Sequence, residues 1–591
     1  MMQAEQQPST GSDGPDVPTT RVVATAGHVD HGKSTLVRVL TGTDPDRWEE
    51  ERRRGLTIDL GFAHTTLPGG EVVSFVDVPG HVRFLRNMLA GVGSVDACLF
   101  VVAASEGWKP QSEEHLRILD LLGVRGGLVV LTKADLVDAD QLARREAEVR
   151  ARLAGTFLAD APVVAVSAQS GDGVDQLVEQ LGVLVRRTSA ARDHDRPRLW
   201  IDRVFAAKGA GTVVTGTLTG GTVRVDDTLV AGGHTVRVRG VQSHTRGARQ
   251  IGPGHRVALN LAGVDHHTLH RGDAVVRPGQ WRPTSRFDAS LSVLAALAHP
   301  VSRRGAFVAY IGSGEFSVSL RVLGREALAP GTSGAVRLHL STAVPLLPGD
   351  RYVLRESGRD ETVGGGEVLD VAPVLAAAKA SPSRSVDRVV AEHGWIDADE
   401  LAAITGERRA PVVGRWVTTA EVLAATEERV LHQVAQSPEL GLELATLAEH
   451  ERAVAVRLAA AGSLAVAAGR ARLPAQRDPL ADHPFLAALG AGGASPPEAA
   501  FVGRSELREL VRRGLVVERD GVYFHPSAID LAARTAAQLL AAHPDGFTVA
   551  AYRDALAITR KHALPLLAEL DARGITRRRD DLRIAGPRLP T

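Results

Sequence analysis

The stretch Gly27-His28-Val29-Asp30-His31-Gly32-Lys33-Ser34-Thr35 sets two glycines, an ammonium and two hydroxyls close together. Gly27-x-x-x-x-Gly32-Lys33-Ser34 is the pattern that cradles a nucleotide's phosphates. Backbone N–H groups at a helix start face the anion, Lys33 reaches the outer phosphates and the Ser34 hydroxyl stands where Mg²⁺ is held, with Asp30 and Thr35 beside them. Further groups carry complementary chemistry. In Asp77-Val78-Pro79-Gly80-His81, Asp77 suits a water-mediated contact to Mg²⁺ and the Gly80 N–H can approach a γ-phosphate. In Thr132-Lys133-Ala134-Asp135, the Asp135 carboxylate can accept from both the N1–H and the 2-amino group of guanine, a pair of donors adenine does not have. Ser167 and Ala168 bring backbone N–H groups to where a guanine O6 would lie.

These groups need a scaffold to hold them at one edge. An apolar run precedes each: RVVATA, VVSFVDV, GGLVVLTK and PVVAVSA, with helical patterns between. Strands alternating with helices, each ending in a loop that bears one ligand group, predict a doubly wound α/β phosphate-loop domain over residues 21–190. From Pro197 the texture turns to short β-branched runs broken by glycine and turn pairs, which predicts two β-barrels, 197–280 and 284–372. After VAPVLAAAKASPSRS the pattern becomes helix, helix and a short two-stranded wing, loosely repeated. Tandem α+β winged-helix domains are expected over 381–425, 426–475, 476–528 and 530–591.

Composition narrows the function classes. A chain of 591 residues is too long for one core. Its 69 basic and 69 acidic residues cancel, so contacts to nucleic acid must be local. No apolar run approaches the length that spans a bilayer. The opening residues 1–20, rich in Pro, Gly, Ser and Thr, are expected to be a disordered tail rather than a signal peptide. A single cysteine, Cys98, allows no internal disulfide, which fits a reducing cytoplasm.

The order phosphate loop, RRRGLTID, DVPGH, TKAD, SAQ resembles the translational GTPases. The resemblance implies GTP with Mg²⁺ held by Ser34, Thr57 and Asp77, where Thr57 senses the γ-phosphate through the metal. It also implies that His81 orients the attacking water, the catalytic role. Read alone, Thr57 is an ordinary strand-end threonine and His81 a loop imidazole. Thr132 departs from the family, where many members carry asparagine. The stretch KGAGTVVTGTLTGGTVRVDD resembles the second domain of that family, and GDRYVLRESGRDETVGGGEVLD the third domain of the elongation factor Tu group, whose paired barrels grip aminoacyl-tRNA. Ile201-Asp202-Arg203, Gly254 to Asn260 and Thr362 to Gly366 are similar to the bacterial selenocysteine-specific elongation factors. That likeness implies a selenocysteyl pocket of Asp202, Arg203 and Arg256. It fits the chemistry: a selenol is an anion at neutral pH, which guanidiniums select.

The helical tail resembles the part of those factors that holds a hairpin in selenoprotein messages. Only its last unit is visibly basic, with ten Lys or Arg against seven Asp or Glu over 530–591. Arg560 and Lys561 open a helix, while Arg573, Arg577, Arg578 and Arg579 flank a wing, a placement suited to splayed bases and phosphates of RNA. The resemblance implies a monomeric cytoplasmic carrier that works with selenocysteyl-tRNA, the message hairpin and the ribosome, with no membrane. Other readings are a different GTPase with the same core and an RNA-binding regulatory GTPase.

Overall fold

The computed structural model describes residues 20–45, 57–81, 84–93, 95–207, 211–244, 246–437, 440–474 and 480–590. All of the expected tail but Thr20 lies outside them, as do residues 52–56 and 208–210. The chain forms two compact units, Met1–Ala410 and Pro411–Thr591.

The first unit begins with a six-stranded sheet of β1 (Thr20–Ala26), β2 (Gly61–Thr66), β3 (Val72–Asp77), β4 (Ala97–Ala103), β5 (Gly127–Thr132) and β6 (Val163–Ala165), in the order β2-β3-β1-β4-β5-β6. Only β2 runs antiparallel to its neighbour. The helices α1 (Lys33–Thr41), α2 (Leu85–Val92), α3 (Pro110–Leu121), α4 (Ala139–Leu153) and α5 (Val174–Arg187) connect and cover it. Alternate side chains of β1 enter opposite cores. Val22 and Ala24 join Phe100, Leu119 and Leu131, whereas Val23 joins Phe75, Val130, Leu36 and Leu181. Covering on both faces explains why these strands read as continuous apolar runs. The strand order reverses at β1, and the phosphate loop leaves there, at the edge where such sheets bind ligands.

Six strands then close a ring: Thr228–Ala231, Ala274–Val276, Arg198–Trp200, Gly211–Thr219, His255–Ala262 and His234–Ser243, the last pairing back on the first. A second closed barrel takes Pro283–Val293, Ser333–Pro345, Gly314–Val322, Phe307–Ile311, Arg351–Glu356 and Glu361–Asp370. Arg198 forks onto Asp350 with both bonds at 2.6 Å, joining the barrels. Two helices complete the unit, α6 (Val386–His393) and α7 (Ala398–Thr405). Arg388 of α6 pairs with Asp370 at 2.8 Å, and Arg196 donates to the Ala402 carbonyl at 2.7 Å. The unit boundary at Ala410 therefore falls inside the 381–425 segment.

The second unit repeats helix, helix and wing. α8 (Ala420–Ala435) and α9 (Glu449–Ala460) precede the strands Ala465–Ala467 and Arg470–Arg472. Next come α10 (Pro484–Gly492) and α11 (Arg504–Arg512) with the hairpin Val517–Arg519 and Val522–Phe524. Last are α12 (Pro526–Ala542), α13 (Val549–Leu556) and α14 (Arg560–Ala572) with the hairpin Thr576–Arg579 and Leu582–Ala585. Ala494 and Phe524 share a core with Tyr552, Leu566 and Leu570, so the last two repeats are packed as one body.

Candidate functional site

The phosphate loop is held in shape by backbone groups and by Lys33. Gly27, Asp30 and Gly32 adopt positive φ of 136°, 61° and 82°, the chain reversals of a tight loop before α1 begins. Lys33 is buried, and its Nζ donates to the Gly27 and His28 carbonyls at 3.1 and 2.7 Å. Gly80 passes against this loop so closely that a Cβ there would strike Lys33 Nζ and come within 2.6 Å of the Val29 nitrogen. Only a glycine brings the backbone after β3 to the phosphate end.

The three groups expected to hold a metal meet. Ser34 Oγ lies 2.7 Å from Thr57 Oγ1 and donates to Asp77 Oδ2 at 2.6 Å, while Thr25 donates to Asp77 Oδ1 at 2.7 Å. Two hydroxyls and a carboxylate are hard oxygen donors, the ligand chemistry of Mg²⁺, and their convergence beside Lys33 fits that ion. Thr35 follows Ser34 in the first turn of α1. His81 is partly buried, with its ring 5.9 Å from that of Phe84.

At the other end of the sheet edge the residues divide. Asp135 is exposed, on the short turn Ala134–Leu136 that follows Lys133, whose φ is 55°. Lys133 pairs with Glu106 at 3.1 Å. Thr132 does not face outward: it is buried and donates to the His31 carbonyl at 2.6 Å, so its hydroxyl fastens the end of β5 to the phosphate loop. Ser167 is buried and its Oγ accepts from the Ser170 N–H at 3.1 Å, which shapes the loop bearing Ala168.

Two residues of this site escaped the sequence reading. His115 of α3 is buried, and its Nδ1 accepts from the Gly27 N–H at 3.1 Å; Gln111, one turn earlier, accepts from the Val29 N–H at 3.3 Å. Their i, i+4 spacing puts both on one face of α3, the only signal the sequence held. Burial, with Lys33 nearby, pushes the His115 imidazole down to about 3 and that of His31 to about 4, keeping both neutral beside the loop. Glu114 of α3 pairs with Arg355 of the second barrel at 3.0 Å.

Asp202, Arg203 and Arg256 also come together, where the first barrel meets β2. Asp202 is buried; it pairs with Arg256 and accepts from Thr215 at 2.6 Å. The guanidinium carbons of Arg256 and Arg203 lie 3.9 and 4.3 Å from the centre of the Phe62 ring, and Arg203 donates to the Leu60 carbonyl. Phe62 and Arg256 border a cavity of about 140 Å³ with His64, Ser74 and His244. Phe62 was invisible to the sequence reading because nothing local links it to the barrel.

The basic residues of the last repeat are less uniform than their sequence suggests. Arg577, Arg578 and Arg579 are exposed on the hairpin strand Thr576–Arg579, whose turn places Asp580 at φ 53°. Arg573 is engaged by Glu569 at 2.8 Å, and Lys561 by Glu498 at 2.7 Å. Arg560 opens α14 and is exposed.

The chain matches two family models: the elongation factor Tu GTP binding domain over residues 18–186, and the winged helix of elongation factor SelB over 538–585. It is 31% identical to the selenocysteine-specific elongation factor of Escherichia coli K12, over 94% of this chain and 97% of that protein. It is 40% identical to that of Desulfomicrobium baculatum over 59% of this chain, a match spanning 55% of the relative's length. A crystal structure of a bacterial selenocysteine-specific elongation factor shares the fold with a TM-score of 0.71 at 24% identity, covering 96% of this chain and 99% of that one. The Methanococcus maripaludis elongation factor SelB in complex with a GTP analogue aligns at 25% identity with a TM-score of 0.52, over 60% of this chain and 80% of that one. With a phosphate-loop domain, two barrels and a winged-helix tail in that order, this chain belongs to the selenocysteine-specific elongation factors, a family of translational GTPases.

Proposed function

We propose that this chain binds GTP and Mg²⁺ at the carboxyl edge of the sheet and carries selenocysteyl-tRNA on its barrels. Its last winged repeat holds a hairpin of a selenoprotein message, so that selenocysteine reaches the ribosome at a recoded UGA codon. It acts as a cytoplasmic monomer. Backbone N–H groups of 30–33 and the Lys33 ammonium bind the phosphates, while Gly27 and Val29, whose N–H groups are held by His115 and Gln111, shape the loop; Asp135 reads guanine, with Lys133, Ser167 and Ala168 shaping the base site. Ser34, Thr57 and Asp77 would hold Mg²⁺, which when bound neutralises charge developing on the phosphates. His81 orients the attacking water, and Thr57 makes the site sensitive to the γ-phosphate. Thr132 acts through the phosphate loop rather than on the base.

The observation that carries the selenocysteyl assignment is the gathering of Asp202, Arg203 and Arg256 around Phe62. Two guanidiniums there favour an anionic selenolate over a neutral serine hydroxyl, and Asp202 fixes the fork of Arg256. Because β2 follows Thr57 closely in sequence, Leu60 and Phe62 link the pocket to the γ-phosphate end. Replacing Arg256 by alanine should weaken binding of selenocysteyl-tRNA far more than of seryl-tRNA on the same tRNA body. Equal losses on the two would reject the pocket.

A further inference from the structure

Phe501 is 99% exposed, the most exposed large apolar side chain among the described residues. Its loop is nonetheless fixed. Ala499 and Val502 on either side pack against the core that holds Leu489, Leu507 and Leu510, Glu498 pairs with Lys561 at 2.7 Å, and Ser495 Oγ lies 3.1 Å from His562 Nδ1. An aromatic ring held out on an anchored loop does nothing for folding.

Two residues after Phe501, Gly503 caps α11, whose exposed side is basic. Leu507 and Leu510 face the core, which leaves Arg504 and Arg508, one turn apart, together on an exposed side. Neither has a carboxylate partner among the described residues. The nearby acids are committed elsewhere: Glu506 accepts from the Gly503 N–H at 3.0 Å, and Glu509 is shared by Arg512 and Arg513, which hold its carboxyl down to about 2. Residues 501–513 contain four arginines and two glutamates, an excess of two positive charges in a chain whose total is zero.

We propose that Phe501, Arg504 and Arg508 form a site for single-stranded RNA. An unpaired base stacks on Phe501 while the guanidiniums hold flanking phosphates, the pairing of aromatic platform and cation that single strands use. The loop's anchors, Glu498 and Ser495, reach Lys561 and His562 in the first turn of α14, which sets the loop beside the helix start that Arg560 opens. The proposal takes the source of the RNA, a single strand flanking a message hairpin, from the reading of the last repeat as a hairpin grip.

Full-length protein would be titrated with two probes: a blunt hairpin from a selenoprotein message, and an unstructured oligonucleotide carrying 2-aminopurine. Phe501→Ala should weaken the single strand by about tenfold and abolish quenching of the 2-aminopurine. Arg504→Ala and Arg508→Ala should each flatten the log–log salt dependence by about 0.7. All three should leave blunt-hairpin binding unchanged, whereas Arg577→Ala with Arg579→Ala should weaken the hairpin and spare the single strand. Single-strand affinity unchanged in Phe501→Ala would overturn the site, as would a Phe501-dependent protein contact without RNA affinity. Hairpin binding unmoved by the wing variants would overturn the hairpin reading alone. Because Phe501 is exposed, thermal unfolding should not change in its variant.

Discussion

Replacing Thr132 by valine tests whether the base end and the phosphate end of the nucleotide site are one mechanical piece. The substitution keeps the shape of a buried side chain and removes one hydrogen bond, the 2.6 Å donation from Thr132 Oγ1 to the His31 carbonyl. The carbonyl of His31, beside an imidazole with no exposed surface, would then lack its donor in a site closed to water. An acceptor stranded in this way costs about 1–3 kcal/mol, which corresponds to a factor of roughly 5 to 150. The loop must hold its bound shape to receive phosphates, so the penalty should appear as weaker nucleotide binding, about tenfold or more. It should be equal for GDP and GTP, because the contact lies remote from the γ-phosphate end where Thr57 stands. Stopped-flow binding of fluorescent GDP and of a non-hydrolysable GTP analogue would measure it, with Thr132→Ser, which keeps the donor, as the control. Affinities within twofold of the parent, or a loss confined to GTP, would refute the idea that this hydroxyl holds the loop.

Gly80→Ala places a Cβ against Lys33 Nζ and should disturb GTP more than GDP, since Gly80 belongs to the γ-phosphate end; parallel binding curves for the two nucleotides would check it. Thr57→Ala should leave GDP binding near parental and reduce GTP hydrolysis, read in a ribosome-stimulated phosphate-release assay. Stability should also depend on pH through His115, whose folded value near 3 lies below its ordinary 6.5. The folded state resists protonation, so this contribution is complete above pH 6.5 and is lost as the pH falls toward 3, at about 1.4 kcal/mol per pH unit. In calorimetry, the decline in Tm from pH 6.5 to 5 should be shallower in His115→Gln than in the parent.

Much of the fold was readable because its signals are local. The apolar strands, the glycines of the phosphate loop and the glycine after Asp77 each announce a conformation that few other residues permit. The alternation of strand and loop then brings Ser34, Thr57 and Asp77 to one edge. Long-range partners were not readable. Nothing near His115 says that its ring meets Gly27, eighty-eight residues away in sequence. Thr132 sits where a base contact was expected, yet its hydroxyl is taken by a backbone carbonyl on another strand's loop. Phe62 looks like any strand aromatic until Arg203 and Arg256 arrive from the barrel. In the tail, helix and wing periodicity marks the repeats but not their packing. The salt link from Arg388 to Asp370 and the core shared by Phe524 and Leu566 depend on contacts between segments.

The most direct measurement is the rate at which the aminoacyl ester hydrolyses in the presence of the GTP-bound protein, with selenocysteyl and seryl groups on the same tRNA body. A selenocysteyl carrier with an anion-selective pocket should slow hydrolysis of the selenocysteyl ester strongly in GTP, weakly in GDP, and leave the seryl ester nearly unprotected. Equal protection of both esters, or protection indifferent to the nucleotide, would contradict it.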